Sequence, residues 1–121
     1  MNVAEFATVV AKRLDAISPE GFSVWVEGQM VTCGADPTMG GYSNGPFFSP
    51  ETRDLTVEEM IASAESAMAN LQESVLDATD ELWPVGPRPY QHAEVDSDQM
   101  ILWYGDSVSR YLECEPISLV H

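Results

Sequence analysis

Positive charge is scarce in this chain: five Lys or Arg stand against twenty Asp or Glu, for a formal net charge of −15 over 121 residues. The imbalance deepens after Arg53, where fourteen acidic residues face only Arg88 and Arg110, a net of −12. A surface of that sign repels nucleic-acid phosphates and anionic lipid, which argues against nucleic acid and membrane as partners. Cysteine is rarer still. Cys33 and Cys114 lie far apart with no Cys-x-x-Cys spacing, so they read as small apolar core residues, a disulfide or shared metal site being the alternative. The only histidines are His92 and His121. No run approaches the ~20 apolar residues that span a bilayer. The opening residues, Met1 to Phe6, carry neither a basic n-region nor an apolar h-region. That predicts no signal peptide and a cytoplasmic location. A phosphate-cradling loop is missing too, because Gly40-Gly41 lacks the following Lys and hydroxyl residue and the strand-to-helix setting.

What remains is enough for a core. Hydrophobic residues make up 45% of the chain and include three Trp, four Phe and four Tyr, which argues against wholesale disorder and for a single domain over 1–121. A domain this small has a thin stability margin that a homodimer would widen.

Val3, Phe6, Ala7, Val10, Leu14 and Ile17 recur at spacings of three and four, which predicts a first helix. Asn2 and Glu5 form its capping box, and Ser18-Pro19-Glu20-Gly21 ends it. Phe22, Val24 and Val26 then alternate with polar or outward residues in a first strand. Gly28-Gln29 is a two-residue turn, and Met30 to Cys33 returns. Gly34 to Asp54 is a Gly- and Pro-rich loop, with a short strand conceivable around Tyr42 to Phe48. Its aromatics, Phe47 and Phe48, either pin the loop to the core or form a partner-binding lip.

The second helix is the clearest element. Thr56 and Glu59 form a capping box, Leu55 and Met60 have staple spacing, and the apolar stripe runs Val57, Met60, Ile61, Ala64, Met68, Leu71, Val75, Ala78. It is predicted from Val57 to about Leu82, with Pro84 forcing its end. Its opposite side carries Glu58, Glu65, Glu73, Asp77 and Asp80 without one Lys or Arg. Ordinary solvated helices mix signs and gain i,i+4 pairs; here that gain is forgone. Three strand-like runs follow, His92 to Asp96, Gln99 to Tyr104 and Val108 to Glu115, joined by turns at Ser97-Asp98 and Gly105-Asp106-Ser107.

Motifs for chemistry are weak. His92, Glu94 and Asp96 share a strand face at i, i+2, i+4 and would contribute to a divalent-metal site, but a solvated polar face explains the same pattern. Ser107, His92 and Asp106 have no nucleophile-elbow context. Both cysteines sit in apolar strands, where a thiolate is disfavoured. Trp83, Trp103 and Tyr104 suit core packing better than an aromatic pocket.

The segments Ala78 to Pro84 and Met100 to Asp106, with Leu82-Trp83-Pro84 and Leu102-Trp103-Tyr104-Gly105-Asp106 at their ends, resemble small acidic proteins of unassigned function common in actinobacteria. The element order is similar to the type III secretion chaperone-like fold, small acidic dimers that bind extended client segments, although Pro116 to His121 is too short for that family's final helix.

The expectation is therefore an α+β fold: an antiparallel sheet of five strands, or six with the loop strand, and two helices on one face, in the order α-β-β-(long loop)-α-β-β-β. The expected function is a non-catalytic protein-interaction module, chaperone-, adaptor- or immunity-like, needing no cofactor. It would bind a basic or amphipathic protein segment through Glu58, Glu65, Glu73, Asp77 and Asp80, with Tyr42, Phe47 and Phe48 as apolar anchors. The alternative is a small-molecule or divalent-metal-binding domain, enzymatic or not, with its ligand between the sheet and loop 34–54.

Overall fold

Both helices start where their capping boxes predict. In the computed structural model, which describes residues 2–27, 30–34, 42–44, 54–81, 83–84, 90–105 and 110–119 (backbone alone for 42–44 and 111), helix α1 spans Val3–Ile17 and α2 spans Val57–Thr79. The Asn2 side chain accepts from the Glu5 N–H at 2.9 Å, and the Glu5 carboxylate accepts from the Asn2 N–H at 3.3 Å. Thr56 and Glu59 repeat the exchange at 3.1 and 2.9 Å. Four orphan backbone or cap donors are thus satisfied locally, each cap contributing about 1 kcal/mol. A β-bridge between Asn2 and Asp54 holds the two helix starts side by side.

The strands form two sheets. β1 (Ser23–Glu27), β2 (Met30–Gly34) and β3 (Tyr42–Asn44) make a three-stranded antiparallel sheet in that order. β4 (Gln91–Asp96), β5 (Gln99–Gly105), β6 (Arg110–Glu113) and β7 (Ile117–Ser118) make a second, four-stranded one. The architecture is α+β and antiparallel throughout, but the expected single sheet of five or six strands is not what forms. The reason lies in α2. Each strand set closes its own ladder through short connections, and the buried positions of α2 (Met60, Ala64, Ala67, Met68, Leu71, Ser74 and Val75) make a stripe broad enough to pack on β2, β3 and β4, across both sheets. Helix α1 packs on β1 and β2. Both helices thus meet on β2 of the first sheet, and α2 alone reaches on to β4 of the second.

Three further expectations shift. α2 ends at Thr79 rather than near Leu82, because Asp80 adopts the left-handed conformation (φ 58°, ψ 24°) that stops a helix. The stripe is narrower at its ends than the spacing suggests: Val57 is 45% exposed and Ala78 is also exposed, while Ala67 and Ser74 are buried instead. The last strand is broken. β6 pairs Trp103 with Glu113 and β7 pairs Met100 with Ile117, so the intervening Cys114-Glu115-Pro116 carries one residue more than β5 opposite it. Pro116, lacking an N–H, belongs at such an irregularity on an edge.

A single hydrophobic cluster runs through both sheets and both helices, with Leu14, Met68, Leu71, Met100, Leu102 and Tyr104 fully buried. Burying each such side chain contributes roughly 1.5–3 kcal/mol. Three polar contacts fix the layers around it. The Tyr104 hydroxyl donates to the Met68 carbonyl of α2 at 2.8 Å. The Arg13 guanidinium of α1 donates to the Glu115 and Pro116 carbonyls at 3.1 and 3.2 Å. The Asp15 carboxylate accepts from the Val24 N–H at 3.0 Å, which occupies a donor on the edge strand β1 that would otherwise be open to another chain.

Candidate functional site

The acidic residues of α2 stand where the periodicity puts them. Glu58, Glu73, Asp77 and Asp80 are exposed and Glu65 is half-buried, on the side of the helix opposite the stripe sealed in the core. Leu76, 37% exposed, lies among Glu73, Asp77 and Asp80 and adds an apolar spot to that surface. Twenty-three residues extend this face for about 34 Å at the usual ~1.5 Å rise. Of the expected apolar anchors, Tyr42 is placed in β3 by its backbone, whereas Phe47 and Phe48 lie outside the described residues, as do 35–41 and 45–53, where the alternative small-molecule site was expected.

A second feature adjoins the C-terminal end of that face. The left-handed Asp80 turns the chain back on the helix. The Glu81 N–H then donates to the Thr79 hydroxyl at 3.2 Å, and the Gln72 amide donates to the Trp83 carbonyl at 3.4 Å. The turn after α1 approaches from the other side. It is closed by the Phe22 N–H donating to the Pro19 carbonyl at 3.1 Å and requires Gly21 at φ 90°, a conformation that L side chains avoid. Between the two turns is a cleft of about 170 Å³ lined by Pro19, Glu20, Phe22, Val75, Thr79, Glu81 and Trp83. The Trp83 ring, half-buried, stands edge-on to Tyr104 at 5.1 Å between centroids, so one wall of the cleft leans directly on the core. Sequence reasoning missed this cleft. Its two halves lie more than fifty residues apart, and neither half carries a motif; the sole signal was that Trp83 follows a helix stop.

The aromatic trio does not form one pocket. Tyr104 faces α2, while its neighbour Trp103 lies on the other face of β5, as alternation demands. There Trp103 is covered by the His92 ring, stacked at 5.1 Å and 17°, and by the Arg110 guanidinium, 4.2 Å from its ring centre. Arg110 also pairs with Glu113 at 3.1 Å. His92 Nε2–H donates to the Gly105 carbonyl at 2.7 Å. His92 is thus engaged in packing, with Glu94 and Asp96 exposed beyond it on β4, and among the described residues no three His, Cys, Asp or Glu side chains gather as a metal site would require.

Cys33 and Cys114 are free and buried, the core role expected of them. Burial pushes the Cys33 thiol up to about 11, against the opposing effect of a hydrogen bond with Ser74. Burial likewise pushes Cys114 up to about 12, partly offset by Arg13 and reinforced by Glu113. Burial also raises the Tyr104 phenol well above its usual range, with Cys114 and Cys33 adding to the effect. Groups held neutral in this way are poor nucleophiles at neutral pH. No helix among the described residues is long and apolar enough to cross a membrane. Comparison with protein-family models, curated proteins and solved structures found no match for this chain.

Proposed function

We propose that this chain is a non-catalytic interaction module that binds a basic or amphipathic segment of a partner protein along the outward face of α2, in the manner of a chaperone, adaptor or immunity protein. The observation that carries the reading is the exposure of Glu58, Glu73, Asp77 and Asp80 along one side of a single helix whose opposite side is sealed. Such a row of like charges is destabilising by itself, and Asp77 and Asp80 also sit at the negative end of the helix dipole. A cationic partner relieves both costs, and long-range attraction speeds its encounter.

The test is a calorimetric titration with a Lys/Arg-rich peptide at low and high salt. Affinity falls by at least tenfold as the Debye length shortens from about 10 Å at 0.1 M to about 3 Å at 1 M salt. Neutralising the helix face with E58Q, E73Q, D77N and D80N removes most of the binding. A variant of equal net charge, with E94Q, D96N, D98N and E115Q, retains it. Equal losses in the two variants would reduce the effect to bulk charge and reject the helix face as the site.

A further inference from the structure

We propose that the cleft between the turn after α1 and the end of α2 is an anchor pocket for one large aliphatic or aromatic side chain of a basic partner segment, with the flanking Lys or Arg of that segment meeting Glu20 and Glu81. This rests on the reading of α2 as the docking face and names what the partner must carry beyond positive charge.

Size selects the occupant first. The cleft holds about 170 Å³. A protein cavity of ~150 Å³ takes up a benzene ring, whereas sites for drug-sized ligands and cofactors run to roughly 300–1,000 Å³. One side chain fills it, and a drug-sized ligand or cofactor would not be enclosed by it. Chemistry selects next. Pro19, Phe22, Val75 and Trp83 present apolar walls. The hydroxyl of Thr79 is already used, 2.8 Å from the Val75 carbonyl to which it donates and 3.2 Å from the Glu81 N–H it accepts. A polar group entering the cleft would lose water without gaining an equivalent partner there.

Charge selects last. Among the described residues, the lining includes Glu20 and Glu81, both exposed, and no Lys or Arg. An acidic segment, or a second copy of a chain carrying −15, meets repulsion at this rim, while a cation flanking the apolar side chain meets two carboxylates. The pocket is also continuous with the docking face: Asp77 and Asp80 flank Thr79 on the same final turn of α2. The site is preformed, because Trp83 is held through its carbonyl by Gln72 and through its ring by Tyr104. Little ordering is needed on binding, which is how a small contact acquires affinity.

The experiment uses the full chain labelled at its three Trp indoles, followed by NMR, with the Trp83 signal assigned through Trp83→Phe. Two peptides are titrated, short stretches of lysine around one central phenylalanine or one central alanine. The phenylalanine peptide binds at least tenfold more tightly and moves the Trp83 indole signal but not that of Trp25; Glu20→Lys with Glu81→Lys, both surface changes, abolishes the movement. If the two peptides bind equally, salt-dependently and without moving Trp83, the pocket assignment is overturned while the helix-face reading stands. If neither peptide binds, both fall. Movement of the Trp83 signal with protein concentration alone would assign the pocket to a second copy and also overturn the proposal.

Discussion

The Tyr104 hydroxyl donates a 2.8 Å hydrogen bond to the carbonyl of Met68, two fully buried residues that join the centre of the second sheet to the middle of α2. The same Tyr104 ring supports Trp83 from behind. Tyr104→Phe keeps the ring and removes the bond, so it costs about 1 kcal/mol, the net value of such a bond. Urea denaturation checks this as a lower midpoint with an unchanged m-value. An unchanged midpoint would mean that the hydroxyl contributes nothing beyond its own desolvation.

Alkaline pH weakens the fold. In the unfolded chain the thiols ionise near their usual ~8.5. In the folded protein Cys33 is raised to about 11 and Cys114 to about 12, and Tyr104 is also raised. The stability linked to the neutral thiols is therefore whole below about pH 8.5 and is lost as pH climbs through the folded values. Thermal melts show a melting temperature that falls steadily from about pH 9 upward, and less steeply in the C33A/C114A variant, relative to its own neutral-pH value. Below that range, a thiol reagent leaves both cysteines of the native protein untouched and titrates both after unfolding.

Asp80 holds φ 58° at the end of α2. Asp80→Gly removes the strain of that conformation and a negative charge from the negative end of the dipole, a gain of about 1 kcal/mol. For a domain of this size that raises the melting temperature by roughly 4 °C. The same change deletes a carboxylate from the docking face, so affinity for a basic peptide drops as stability rises. A variant gaining stability with undiminished binding would remove Asp80 from the site.

Arg13 joins α1 to the broken edge strand through the Glu115 and Pro116 carbonyls. Arg13→Met retains most of the stem and loses both bonds, at a cost of about 1 kcal/mol. Hydrogen exchange locates the effect. Protection falls at the Leu119 N–H, which donates to the Asp98 carbonyl in the β7 region, while the Tyr104–Met68 region stays protected. Uniform loss of protection would assign Arg13 a global rather than a local role.

Chain-local physics was readable from the residues alone. Capping boxes at Asn2–Glu5 and Thr56–Glu59, the buried cores of both helical stripes, and the hairpins of Val24 and Met100 all follow from interactions a few residues in range, and the acidic side of α2 is set by where its apolar side must go. The helix stop at Asp80 departed from expectation because it depends on the backbone conformation of a single residue, and the strand that Pro116 closes resumes as β7 because Ile117 finds a partner in Met100 of β5. The partition into two sheets was decided only in three dimensions, because strand pairing between distant segments is governed by what the helices already cover, and α2 spans both sheets. The cleft belongs to that level as well. Pro19 and Phe22 meet Val75 and Trp83 solely because α1 and α2 end next to one another, a juxtaposition that no spacing along the chain encodes.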